Sequence, residues 1–105
     1  MHQQEMLKGN TDTLLLALLE NEAMYGYQIV KEVDERSSGY FAFKEGTLYP
    51  ALHRLEKAKL IEGRWEDTPN NVRRRYYLIT AKGQQALEDR LPEWQRFTSA
   101  MNSIM

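Results

Sequence analysis

The chain has 105 residues, 42% hydrophobic and 28% charged, a mixture that supports one small globular domain and argues against disorder. It contains no cysteine, which excludes disulfides, thiolate metal sites and cysteine nucleophiles and suits a reducing cytoplasm. Net charge is only −1, yet residues 44–82 hold nine Lys/Arg against five Asp/Glu while the rest of the chain holds five against ten; a basic middle between acidic ends is the asymmetry of a chain with one face turned to an anion.

The opening MHQQEMLKGN lacks the apolar stretch of a signal peptide, and the run LLLALL is far shorter than the ~20 residues of a membrane span, so a cytoplasmic protein without membrane contact is expected. Asn10 or Thr11 caps a first helix, with Asp12 suited to its N-terminal dipole. Leu14, Leu15, Leu18 and Leu19 supply its i,i+4 apolar pairs, and Leu16 widens that face. A second helix is expected from Tyr27 to about Arg36, with Ile29, Val30 and Val33 inward and Ser37-Ser38-Gly39 as its stop, Gly39 taking the left-handed conformation.

A third helix, from about Thr47 to Lys59, carries Leu48, Ala51, Leu52 and Leu55 at i, i+3, i+4, i+7. Pro50, His53, Arg54 and Lys57 fall opposite that face. With Thr47 as N-cap, Pro50 lies in the first turn, where its missing N–H costs no helical bond. The period then changes. Leu60–Glu66 and Val72–Ile79 read as an antiparallel hairpin around the turn residues Asp67-Thr68-Pro69-Asn70-Asn71, with Arg73, Arg74 and Arg75 near its tip. Thr80 caps a last helix running to Met105, whose Leu87, Leu91, Trp94, Thr98, Met101 and Met105 are spaced 4-3-4-3-4, with Phe97 and Ile104 beside that seam. Pro92 leaves the Glu88 carbonyl without a donor, so a kink or two helical pieces are expected there.

Helix, helix, helix, hairpin, helix is a mainly α order with a β-hairpin, that of a winged helix-turn-helix with a C-terminal dimerisation helix. Residues 1–79 would form the DNA-binding domain with an N-terminal arm, and 80–105 the dimerisation helix. The third helix has the width of a major groove, and a basic wing can reach phosphates beside it. On that reading His53 and Arg54 discriminate bases, Lys57, Arg73, Arg74 and Arg75 attract the backbone, and Thr47 and Tyr49 donate to phosphate at the helix start. Leu87, Leu91, Trp94, Phe97, Met101 and Ile104 would form the dimer interface, because a lone helix of that composition exposes a large apolar patch. His2 and His53 have no companion ligand spaced for a metal. No GxSxG, glycine-rich phosphate loop or HExxH occurs, so neither an enzyme nor a cofactor is expected.

The strings YGYQI (Tyr25–Ile29), GTLYPAL (Gly46–Leu52) and YYLITAKG (Tyr76–Gly83), within three longer segments that span about three-quarters of the chain from first to last, resemble the PadR family of bacterial transcriptional regulators. The resemblance implies a homodimeric repressor that leaves a pseudo-palindromic operator in double-stranded DNA when an effector binds. It places Tyr25, Thr47, Tyr49 and Pro50 near the DNA backbone and Arg73–Arg75 in a basic wing. It also matches Trp94 to a tryptophan that stacks on planar aromatic effectors in compact members, from whose uninterrupted last helix Pro92 departs. Two other classes share this architecture: a winged-helix adaptor that binds protein, and a dimer that chiefly binds flat aromatic molecules with weak DNA affinity.

Overall fold

The computed structural model describes residues 9–105; His2 and the arm before Gly9 lie outside the described residues. The elements are α1 (Thr11–Asn21), β1 (Met24–Tyr25), α2 (Gly26–Arg36), α3 (Glu45–Lys57), β2 (Ile61–Asp67), β3 (Arg73–Ile79) and α4 (Ala81–Ile104). The expected order is present, with one addition. The two residues of β1 pair with β3, Met24 opposite Tyr77 and Tyr25 opposite Tyr76, making a three-stranded antiparallel sheet in the order β1-β3-β2. Two residues are too few to show an alternating pattern, so β1 leaves no periodic signal in the sequence.

α1 is the centre of the core. Leu15, Leu16, Leu18 and Leu19 are all buried, because α1 touches α4, α3 and β3 on different sides. Asn10 occupies its cap position and Asp12 its first turn. Ile29 and Val33 of α2, Leu48, Ala51, Leu52 and Leu55 of α3, and Ile61, Tyr77 and Leu87 complete the same cluster. Burying a leucine of this kind contributes about 1.5–3 kcal/mol, so the apolar faces of the three helices supply most of the drive to fold.

α2 and α3 end in the same way. Ser38 has φ +53°, and its N–H bonds to Glu35 O while that of Gly39 bonds to Asp34 O. Lys59 has φ +65°, with Lys59 N–H on Glu56 O and Leu60 N–H on Leu55 O. Both are Schellman closures. The first left-handed residue after α2 is thus Ser38, followed by Gly39, also left-handed at φ +79°; after α3 it is a lysine. No helix among the described residues is long and apolar enough to cross a membrane.

Two helix expectations are corrected. α3 starts at Glu45 with Lys44 as its cap residue, so Thr47 is the third helical residue and not the N-cap. The Lys44 carbonyl already accepts from Thr47 N and Leu48 N, both at 2.9 Å, which closes the first turn before Thr47 has a capping role. Pro50 therefore sits beyond that turn and does cost a bond: the Gly46 carbonyl loses its i+4 donor. Gly46 and Pro50 are both exposed, so water can satisfy it. α4, in turn, is a single helix through Pro92 and not the two pieces that were one of the expectations there. Glu88 and Pro92 are exposed, so the carbonyl deprived of its partner faces solvent and the helix continues. Its cap is as expected: Thr80 Oγ1 accepts from Gly83 N at 3.0 Å.

Candidate nucleic-acid interface

With Leu48, Ala51, Leu52 and Leu55 directed into the core, helical periodicity turns Pro50, His53 and Lys57 outward, and all three are exposed. Thr47 is exposed at the helix start, and Tyr49 lies on the flank facing the sheet. The Tyr49 hydroxyl rests against the first residue of α2, where a Cβ on Gly26 would stand 2.5 Å from it. A tyrosine at the start of α3 and a glycine at the start of α2 thus form one close approach, which fixes the two helix N-termini side by side. Between α3 and the sheet runs an open groove lined by Tyr49, His53, Glu56, Lys57, Arg75 and Tyr77. Burial pushes the Tyr77 hydroxyl above the ordinary tyrosine value of 10.0, against the opposing pull of the Arg75 charge, so it stays a neutral donor at the base of the groove.

The basic residues separate into two groups. Arg54 lies on the far flank of α3, where its guanidinium donates to Asp12 of α1 at 3.0 Å. Arg75 is ion-paired with Glu56, and its guanidinium lies 5.4 Å from the Trp65 ring centroid and 6.0 Å from that of Tyr77. These two cations are engaged within the chain, so their charge is not simply available to an external anion. Arg73 has only a weak partner, Asp67 at 3.5 Å, and both side chains are well exposed. Arg74 and Lys57 make no ion pair among the described residues.

The Arg73–Arg75 run is split by strand alternation. Arg73 and Arg75 share a face with Trp65, which Arg73 flanks at 5.7 Å. Arg74 is on the other face, with its guanidinium 4.4 Å from the Tyr25 ring centroid. Tyr25 packs edge-on against Tyr76 at 5.4 Å, and its N–H donates to Gln28 Oε1 at 3.1 Å. Tyr25 is therefore both the platform for Arg74 and the residue that joins β1 to α2 as its N-cap.

The C-terminal seam also divides. Leu87 has no exposed surface and belongs to the chain's own core; its expected place in a dimer interface is corrected, because α1 already covers it. Leu91 is half-buried, packed against that core. From Trp94 onward the helix stands clear: Trp94, Phe97, Met101 and Ile104 are exposed by 42%, 57%, 42% and 84%. Trp94 and Phe97 stack at 5.9 Å between centroids. Beside them, Leu14, Ala17, Phe41, Leu91 and Trp94 line an apolar cavity of about 240 Å³.

Asp12 and Glu56, the partners of Arg54 and Arg75, were not legible as functional residues. They lie 42 and 19 positions away from the arginines they hold. Gly63 was also missed: a Cβ there would stand 2.5 Å from an Arg75 guanidinium nitrogen, so the missing side chain makes room for that arginine.

A three-helix core with a β-wing and a projecting helix defines a winged helix-turn-helix of the kind found in transcriptional regulators. Residues 15–89 match the model of the transcriptional regulator PadR-like family. The chain is similar to a transcriptional regulator from Clostridium thermocellum, with a TM-score of 0.85 and 32% identity over 94% of this chain and 96% of that one. It is similar to a PadR-like transcriptional regulator from Bacillus cereus, with a TM-score of 0.84 and 33% identity over 95% of each chain. Bacillus subtilis PadR, solved in complex with operator DNA, aligns with a TM-score of 0.71 and 26% identity over 78% of this chain and 46% of that one. The chain belongs to the PadR-like family of transcriptional regulators.

Proposed function

We propose that the chain is a homodimeric repressor that binds a pseudo-palindromic operator in double-stranded DNA and is released by a small effector. The observation that carries this reading is the exposed face of α3, with His53 and Lys57 outward, and on the wing Arg74, which lies over the Tyr25 ring and makes no ion pair among the described residues. The relative solved on operator DNA has the same fold over most of this chain. Residues 1–79 would be the DNA-binding unit and 80–105 the dimerisation helix. α3 would enter the major groove, with His53 reading base edges. Lys57, Arg73 and Arg74 would meet phosphates, as would Thr47, Tyr49 and the N-terminal end of α3. Two such units would occupy half-sites about one helical turn apart.

Dimerisation is supported by Trp94, Phe97, Met101 and Ile104, an apolar strip that stays exposed among the described residues. Sedimentation is expected to give twice the chain mass, with Phe97→Asp returning a monomer and a folded Phe97→Asp dimer excluding this strip. The cavity beside Trp94 is apolar and bounded by an aromatic face, which suits a planar aromatic effector. Titration with such compounds is expected to quench tryptophan emission, and the quench should vanish in Trp94→Phe while Trp65 still emits. A quench that survives Trp94→Phe places the ligand elsewhere.

A further inference from the structure

We infer that Arg75 is not a DNA contact but a positioning residue, and that with Glu56 it forms a clamp that sets the distance between the wing and α3. This rests on the DNA-binding reading above and deepens it, by assigning one arginine of the RRR run a task different from its neighbours.

Four observations converge on that role. Glu56 is on the flank of α3 and Arg75 is on β3, and their ion pair joins these elements across the groove. Both side chains are about 30% exposed, at 30% and 29%, whereas the Arg73–Asp67 pair stands at 66% and 84%. An ion pair partly withdrawn from water is screened less and holds its geometry better than one at the surface. Arg75 is further confined by Trp65 and Tyr77. Below it, Gly63 on β2 leaves the space its guanidinium occupies.

The consequence for recognition is geometric. α3 and the wing touch different parts of the duplex, so their spacing must match the groove before either makes its contacts. The loop after β2 ties Thr68 to Val72 and Asn71 through local bonds, which hold the turn but do not join the wing to α3. A carboxylate-guanidinium bridge between the two elements does, and its planar fork restricts orientation as well as distance. A phosphate at Arg75 would have to displace Glu56 and leave that carboxylate unpaired beside the DNA. Among the described residues Lys57 and Arg74 have no carboxylate to displace, and Arg73 has only the well-exposed Asp67 at 3.5 Å.

The test compares wild-type, Glu56→Gln, Arg75→Gln and the double variant for operator affinity across a salt series, with amide exchange of β2 and β3 measured on the free proteins. Each single variant is expected to weaken binding by about tenfold, with the salt slope unchanged and the double variant no weaker than either single, as for residues acting as one unit. Exchange at Arg73–Ile79 should rise in both single variants. The reversed pair Glu56→Arg with Arg75→Glu should restore part of the affinity, separating a lost clamp from a misfolded chain. Tighter binding by Glu56→Gln, with a slope flattened by about one unit in Arg75→Gln, would make Arg75 a phosphate contact that Glu56 restrains and overturn the proposal. Unchanged affinity and exchange in both variants overturns it too. If the wild type binds no duplex, the DNA-binding reading fails, and the exchange data alone decide whether the clamp exists.

Discussion

Gly83→Ala is expected to destabilise the protein by about 3 kcal/mol, lowering Tm by roughly 12–24 °C in a domain of this size. Alanine normally favours a helix over glycine by about 1 kcal/mol, so the sign depends wholly on what surrounds the position. Here a Cβ would stand 2.0 Å from the Leu60 carbonyl oxygen and 2.9 Å from Ile79 Cγ1. The first of these is backbone, and no side-chain rotation relieves it. That carbonyl also accepts from Thr80 N at 3.1 Å. The adjoining carbonyls of Lys59 and Ala58 accept from Thr80 Oγ1 at 2.7 Å and Lys82 Nζ at 3.1 Å. The start of α4 is thus bonded to the end of α3 at three successive carbonyls, and a methyl group at Gly83 pries that junction open. Thermal unfolding followed by circular dichroism measures the effect; a loss under about 1 kcal/mol would mean that α4 does not approach Leu60 so closely.

The second large effect is on DNA. The double variant Lys57→Ala with Arg74→Ala is expected to flatten the plot of log affinity against log salt by about two units and to weaken binding roughly thirtyfold at about 0.15 M salt. Both side chains are exposed and make no ion pair among the described residues; Arg74→Ala gives up only the contact with the Tyr25 ring, so the change in slope, more than the loss of affinity, reports the released counterions. Arg74→Ala alone should account for about one unit of slope and leave the preferred sequence unchanged. Arg54→Ala should leave the slope nearly intact, since that guanidinium is held by Asp12. An equal slope change at Arg54 would show that its bond to Asp12 yields to phosphate.

The parts of the fold carried by local periodicity were legible from residues alone. The spacing of Leu48, Ala51, Leu52 and Leu55 set which face of α3 turns inward. Thr80 and the turn residues before Val72 marked where α4 begins and where the hairpin reverses. Pairings across the fold were not legible. A charged triplet such as Arg73-Arg74-Arg75 looks uniform until the strand register sends Arg74 to the face of Tyr25 and Arg75 toward Glu56. Leu87 fits the heptad of the exposed seam as well as it fits the core, and only the position of α1 decides between them. The prolines were read unevenly: the helix through Pro50 was expected but with its start two residues late, whereas at Pro92 a break was expected and the exposed carbonyl can exchange its helical donor for water, so the helix runs on.

The central claim is that this fold reads DNA as a symmetric pair. Selection from a random duplex library, with purified ligand-free protein at physiological salt, tests it most directly. The account predicts enrichment of an inverted repeat whose half-sites lie about one helical turn apart. A folded protein that enriches no sequence, or a single half-site without symmetry, would contradict it.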